Sequence, residues 1–489
     1  MRSIKMDVNF KKYETIIGLE VHAQLLTRTK LFCGDSTLFG GEPNSHVSPI
    51  TLGHPGTLPV LNEKAIEFAI KIGLACGCEI ERVNYFARKH YFYPDLPKGY
   101  QTSQHTTPIC KKGFVKIKID ETEKNVILNR IHLEEDAGKN IHDIDQENTC
   151  IDLNRAGVPL IEIVTEPDMH SGVEAYQYLT ELRKILRYLE ICDGNMEEGS
   201  MRCDANISIR IKGEKTLGTK VEVKNLNSIR NVKRAIDFEA NRMMELLENN
   251  ARIIQQTRSF DASAGTTFAL RNKEEANDYR YFPDPDLPPF YVTDELLKKV
   301  KKSIPELPDE LIRKYTTKFH LSEYDAQVIC DDKDFSDYFN QLINLTTNYK
   351  GAANWLLGPM KSYLNENAVS IDKLNLSPST LAQLIQLVDE EKLNFSIASS
   401  RVFPALIKSG NEDVLQVATQ LNLLQNSNTG EVSAWVEEVL AKMPDKVNEY
   451  KKGKKGLMGL FVGEVKKISN GKADPKLTNK LLLEKLEQN

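Results

Sequence analysis

The sequence has no run of about 18 consecutive apolar residues, the length a helix needs to cross a bilayer. Its opening residues, MRSIKMDVNFKKYE, also lack the apolar stretch of a secretory signal. Neither a membrane span nor export is therefore expected, and the reading is a cytoplasmic chain. The 8 cysteines include no CxxC pair, so the ligand spacing of a zinc ribbon or finger is missing. Free thiols are the expectation and zinc is not, although Cys76 and Cys78 could in principle recruit Cys33 or Cys110. No GxxxxGK[ST] loop and no GxGxxG after a strand is present, which excludes P-loop and Rossmann nucleotide chemistry. A GxSxG elbow and a Cys/His nucleophile signature are missing too, so no nitrogen-releasing hydrolase is expected of the chain itself.

What is present is size and an uneven charge. With 489 residues and 40% hydrophobic content, the chain can bury more than one core. Lys446 to Asn489 holds 11 Lys and 5 acidic residues, a local charge of +6; the formal net charge is -5, so the remainder carries -11. Alternating or β-branched runs recur in the first part: TIIGLEVHAQL, FVKIKI, NVILNRIHL, CIDLNR, PLIEIV, MRCDANISIRI and KVEVKNL. Helical periods interrupt them at Asn62–Gly73, Val173–Leu189 and Ile229–Leu247, the last with Ser228 as N-cap. Prolines at Asp284–Pro289 and in Ile304-Pro-Glu-Leu-Pro-Asp mark the end of this part, and helical spacing follows. The pattern implies an α+β fold: a mixed or antiparallel-sheet domain over 1–292, a helical domain over 293–410 and a small all-helical tail domain over 411–489.

Glu20 and His22 lie two apart in the first strand and so share a face, while Leu19 and Val21 take the other. Alone, such a pair fits a solvated strand face as well as a metal site. Between Arg130 and His170, however, ten acidic residues meet only three basic ones, Arg130, Lys139 and Arg155. Glu162 stands in the apolar run Pro159-Leu-Ile-Glu-Ile-Val, where a carboxylate needs a metal or an ion-pair partner such as Arg155. Glu134-Glu135-Asp136 forms a further carboxylate group at a strand end. Oxygen ligands with at most one imidazole suit Mg²⁺ better than zinc. Two segments that alternate aromatic rings with cations, Arg88–Asp95 and Tyr279–Asp286, could stack a base and offset phosphate, or pack under loops. Arg202, Asp204 and Asn206 share one strand face and Lys220, Glu222 and Lys224 another, lining a cleft or meeting solvent. In the tail, Lys451, Lys452, Lys454 and Lys455 surround Gly453 and Gly456, and Lys472 follows, a footprint of sequence-independent RNA contact or of a solvated helical face. These residues alone leave a non-catalytic RNA-binding scaffold open.

Longer stretches decide more. IGLEVHAQL, FGGEPNS, GHPGTLPVLN, RKHYFYPDLPKGYQTSQ, HLEEDAGK, DLNRAGVPLIEIVTEPD, MEEGSMRCDANISIR, KVEVKNLNS, DYRYFPDPDLPP and NWLLG, with the Gly/Lys-rich end, resemble the B subunits of the aspartyl/glutamyl-tRNA amidotransferases from about Tyr13 onward. The resemblance implies a catalytic "cradle" domain, a helical domain and a tail domain that touches tRNA. It implies that ATP is used to phosphorylate the side-chain carboxylate of Glu or Asp misattached to tRNA(Gln) or tRNA(Asn). Ammonia released from glutamine by the amidase, or A subunit, then displaces the phosphate, and the small C subunit makes up a heterotrimer. On matching motifs it implies Glu20, His22, Glu135 and Glu162 as catalytic Mg²⁺ ligands, with Lys89, Tyr91, Glu134, Asn154 and Arg155 shaping the ATP pocket. Some members carry a Cys-rich zinc set where this chain reads FCGDSTLFG and HVSPITLG; only Cys33 remains of it. The related archaeal-type E subunits insert a further domain, and no insertion interrupts the region after Tyr281 here.

Overall fold

The computed structural model describes residues 11–142, 144–145, 147–272, 279–424, 429–469 and 471–487. The chain divides into two compact units, Met1–Leu307 and Pro308–Asn489.

The first unit is built on one large sheet. Its main path uses β1 (Tyr13–Gln24), β2 (Ala87–His90), β3 (Tyr100–Ser103), β4 (Thr122–Glu135), β5 (Pro159–Thr165), β6 (Met201–Ile211), β7 (Val221–Leu226), β8 (Gln256–Asp261), β9 (Thr266–Asn272) and β10 (Phe282–Pro283). They lie in the order β9-β8-β7-β6-β1-β5-β4-β3-β2-β10. Along this path β7 and β8 run parallel and the other neighbours antiparallel, so the sheet is mixed. Each of the seven segments read as strands from the sequence contains one.

β1 is central because its alternation gives it two different faces. Leu19, Val21 and Ala23 are buried, as are Ile161 and Ile163 of β5, Ile131 and Leu133 of β4, Cys203 and Ala205 of β6 and Val221 and Val223 of β7. Three helices supply further core residues: α1 (Glu63–Ala75), α2 (Gly172–Tyr188) with Tyr178, Leu182 and Leu186, and α3 (Ile229–Glu248) with Val232 and Ile236. At about 1.5–3 kcal/mol for each large aliphatic or aromatic side chain, this face dominates the stability of the unit. The helices begin at side-chain caps, Asn62, Ser171 and Ser228, whose oxygens accept from backbone N–H groups of the first turn. α1 approaches the sheet closely at Gly73, where a Cβ would stand 2.3 Å from Cys110 Sγ. With the apolar face committed to these helices, the polar alternation of five adjacent strands collects on the other side.

The second unit is helical among its described residues. The buried Trp355 meets Phe395 and Phe403, with ring centroids 5.0 and 5.9 Å away. Towards the C-terminus Thr429–Lys442, Pro444–Lys451, Met458–Ile468 and Pro475–Glu487 enclose a core of their own, which includes Val432, Val436, Phe461, Val465 and Leu482. Among the described residues no helix is long and apolar enough to cross a membrane.

Candidate active site on the polar face of the sheet

Strand register brings chemistry-bearing residues together from distant parts of the chain. His22 of β1 pairs with Glu162 of β5, and Glu162 pairs with His132 of β4. Glu134, two residues beyond His132, lies on the same face. His22 Nε2 stands 3.5 Å from Glu162 Oε2 and 3.8 Å from Glu134 Oε1. His132 Nε2 is 3.4 Å from Glu162 Oε2 and 3.5 Å from Glu134 Oε2. The side chains of His132 and Glu134 are each only 4% exposed, so the group is desolvated and its charges act strongly on one another. Burial raises the carboxyl of Glu162, but His132 and His22 more than reverse this and hold it well below the usual range. Burial likewise opposes charge on His132, yet Glu162 and Glu134 raise it to about 9.

A second group lies beside the first on the same face, around Glu20 of β1. Glu20 pairs with Asp204 of β6, and one oxygen each from Glu20, Asp204 and Glu222 of β7 lie within 4.8 Å of one another, as do the donor atoms of His22, Glu134 and Glu162. Glu20 Oε1 accepts from Asn206 Nδ2 at 2.8 Å, and Glu222 Oε2 from Thr257 Oγ1 at 2.8 Å. Lys224 Nζ pairs with Asp204 and lies 3.1 Å from Glu222 Oε1. Among the described residues these are the two sets that could hold a metal ion, and neither contains a cysteine.

The single ligand set expected from the sequence, Glu20, His22, Glu135 and Glu162, is therefore split. His22 and Glu162 meet in one group and Glu20 belongs to the other. Glu135 joins neither, because alternation turns it away from Glu134. Its carboxylate accepts from Lys98 Nζ and, at 2.8 Å, from Thr102 N. It borders a polar cavity of about 300 Å³ that Lys30, Arg88, Tyr100 and Asp284 also line. Glu134, expected to shape the pocket, has its carboxylate within the first group. His132, Asp204 and Glu222 complete the picture. The signal for His132 and Glu134 is the same two-residue spacing that drew attention to Glu20 and His22.

Of the remaining expected residues, Lys89 comes within electrostatic reach of Glu134 and Glu162. Lys89 Nζ lies 5.0 Å from the centre of the Tyr279 ring, and its charge is favoured by Glu134 and Glu162 against the cost of burial. Tyr91 stacks on Tyr93 at 4.9 Å, and His105 stacks on Tyr281 at 4.0 Å with the planes 6° apart. Asn154 holds a loop: Oδ1 accepts from His46 N at 2.8 Å and Nδ2 donates to Glu42 O at 2.7 Å. Arg155 donates to Ala137 O and Gly138 O at 2.8 and 2.6 Å. Near Cys33, Asp35 Oδ2 accepts from Ser48 N at 2.9 Å and Thr51 Oγ1 at 2.5 Å, and Cys33 Sγ is 3.4 Å from Thr51 Oγ1. In the second unit Lys451, Lys452, Lys454 and Lys455 are exposed and Lys472 is half-buried.

The comparisons with known proteins agree with one another. Residues 15–298 match the model of the GatB/GatE catalytic domain and residues 337–486 that of the GatB domain. A protein of Syntrophotalea carbinolica, named as the B subunit of an aspartyl/glutamyl-tRNA(Asn/Gln) amidotransferase, is 48% identical over 475 residues, covering 97% of this chain and 99% of its own length. Proteins with the same name from Thermodesulfovibrio yellowstonii (46% identity; 98% and 100% coverage) and Solidesulfovibrio magneticus (48%; 97% and 99%) are similar to it in the same end-to-end way. Agreement over nearly the whole length, with the catalytic-domain match spanning every residue of the two groups, places this chain in the GatB family.

Proposed function

We infer that the chain is the B subunit of a tRNA-dependent amidotransferase, a ligase that forms carbon–nitrogen bonds with glutamine as nitrogen donor. It converts Glu-tRNA(Gln) to Gln-tRNA(Gln), or Asp-tRNA(Asn) to Asn-tRNA(Asn), at the expense of ATP. One observation carries the placement of the chemistry: two groups of His and carboxylate donors stand side by side on the polar face of a sheet whose other face is core.

A carboxylate is a poor electrophile and needs activation. A side-chain oxygen of the misattached amino acid attacks the γ-phosphorus of ATP, the bond to ADP breaks, and an acyl phosphate forms. Ammonia attacks the acyl carbon and gives up a proton, and phosphate leaves with the electrons of the broken C–O bond. Glu20, Asp204 and Glu222 form an oxygen-only donor set that fits Mg²⁺, and Glu134 and Glu162 with His22 form a second set that a hard cation also accepts. Bound there, Mg²⁺ would neutralise charge on the phosphates during transfer. Lys224 pairs with Asp204 and Glu222, so a cation bound by that set would compete with it. Lys89 has no hydrogen-bonding partner among the described residues and suits a phosphate oxygen. The Tyr91/Tyr93 and His105/Tyr281 stacks offer ring faces to a nucleobase.

The chain works in a cytoplasmic heterotrimer, together with the small C subunit of such enzymes and their amidase, the A subunit. Lys451, Lys452, Lys454, Lys455 and Lys472 hold the tRNA by its phosphates. The division into cradle, helical and tail domains gives each of these tasks a place. In the reconstituted complex, Glu162→Ala is expected to lower ATP hydrolysis dependent on Glu-tRNA(Gln) by about 10²-fold or more. Unchanged hydrolysis would remove the catalytic reading.

A further inference from the structure

The polar face is strongly acidic, yet the reaction inferred for it requires a second anion beside ATP: the carboxylate that is to be phosphorylated. Something on this face must receive it. Lys224 is occupied by Asp204 and Glu222. Arg202 is not so occupied. It lies directly opposite His22 in the β1–β6 register and shares the face of Asp204 and Asn206. Its Nη2 donates to Asp136 Oδ1 at 2.7 Å. Asp136 is buried and closely held, because Oδ2 accepts from Gln24 Nε2 at 2.7 Å and Oδ1 from Ala137 N at 2.9 Å. The guanidinium is thus tied through one nitrogen to an anchored carboxylate, while its side chain remains 36% exposed. Nε is shielded from water and has no hydrogen-bond partner, and Nη1 has none among the described residues. A buried donor left without an acceptor is unusual in a folded protein and marks a place where an acceptor belongs.

We propose that Arg202, steadied by Asp136, receives the side-chain carboxylate of the amino acid carried on tRNA and holds it for phosphorylation. The planar fork of an arginine matches a carboxylate better than it matches any other group entering the site. Phosphate oxygens would be met by a cation held by the carboxylates and by Lys89, which leaves Arg202 for the substrate carboxylate. The same contact discriminates product from substrate. Amidation replaces one oxyanion with an NH₂ donor, which faces the guanidinium donors with no acceptor to offer, so the product is released. Arg202 here touches substrate, and Asp136 is a positioning residue.

The inference rests on the amidotransferase reading, and its test separates the two. The reconstituted complex is assayed for amidation with ammonium chloride as nitrogen source, varying Glu-tRNA(Gln) and ATP independently. Wild-type turnover that requires the misacylated tRNA secures the reading itself; without such turnover that reading fails before the variants are compared. Given it, Arg202→Gln is expected to raise KM for Glu-tRNA(Gln) about ten- to a hundredfold while KM for ATP stays within about twofold. Arg202→Lys, which keeps the charge without the fork, should give a smaller rise, and Asp136→Asn, which only loosens the arginine, a smaller rise again. If KM for Glu-tRNA(Gln) is unmoved, or if KM for ATP rises in its place, the proposal is overturned. Should Arg202→Gln not fold, the Arg202→Lys and Asp136→Asn measurements decide on the same criterion.

Discussion

Two adjacent glutamates have opposite surroundings. Glu134 faces His22 and His132 on the polar side, and Glu135 pairs with Lys98 in the wall of the cavity. If donors on the polar face hold the divalent ion, Glu134→Gln should weaken Mn²⁺ binding, followed as loss of the free-ion paramagnetic signal, by about ten- to a hundredfold. Glu135→Gln should leave it within about twofold, and the reverse order would contradict the assignment. The histidine group also makes a pH prediction for the chelated, metal-free protein. His132 is raised from its ordinary 6.5 to about 9, so its contribution to stability is complete below pH 6.5 and is lost as pH climbs through about 9. Glu162 is depressed from 4.5, so its contribution is present above that pH and is lost as pH falls towards its lowered value. Thermal unfolding in EDTA should therefore show Tm declining between pH 6.5 and 9, and His132→Gln should flatten that limb. An equal decline in the variant would show that the limb comes from other groups.

Elements carried much of this site into view before the register was known. β1, β6 and β7 could be read from period-two alternation because one face of each is apolar and the other is not, and β5 from its β-branched apolar run. The helix starts were legible from Asn62 and Ser228. Two things were not. Which strand lies beside which is a long-range fact: nothing local to Glu162 says that His22 stands opposite it on one side and His132 on the other. Parity within His132-Leu-Glu-Glu135 was missed although Leu133 supplies the phase, because consecutive carboxylates read as one cluster when alternation is not carried through the strand end. β8 and β9 escaped because QTRSFD and TTFALRN place polar residues on both faces, and the buried ones are satisfied internally: Thr267 Oγ1 donates to Glu239 Oε2 at 2.7 Å and accepts from Arg258 Nε at 2.9 Å. A packing test belongs at this scale. Gly73→Ala would force α1 away from Cys110 and Ile80, and should cost about 1–3 kcal/mol in chemical unfolding. A neutral change would mean that α1 is free to shift.

Across the whole molecule charge is divided between an acidic face and a set of exposed lysines. The acidic groups belong to the first unit, and the exposed lysines lie between helices that enclose a small core near the C-terminus. Changing Lys451, Lys452, Lys454 and Lys455 to Gln should weaken tRNA binding by the complex and reduce its salt slope by about one unit for each phosphate no longer neutralised. An unaltered slope would count against RNA contact there. The acidic face itself is tested most directly by tRNA-dependent ATP turnover in the reconstituted complex, with ammonium chloride supplied so that the glutamine-hydrolysing partner cannot limit the rate. Glu162→Gln and Glu20→Gln, one from each donor group, should each lower that turnover by about 10²-fold or more while glutamine hydrolysis and tRNA binding persist. Turnover at the wild-type rate in both variants would place the phosphoryl transfer elsewhere.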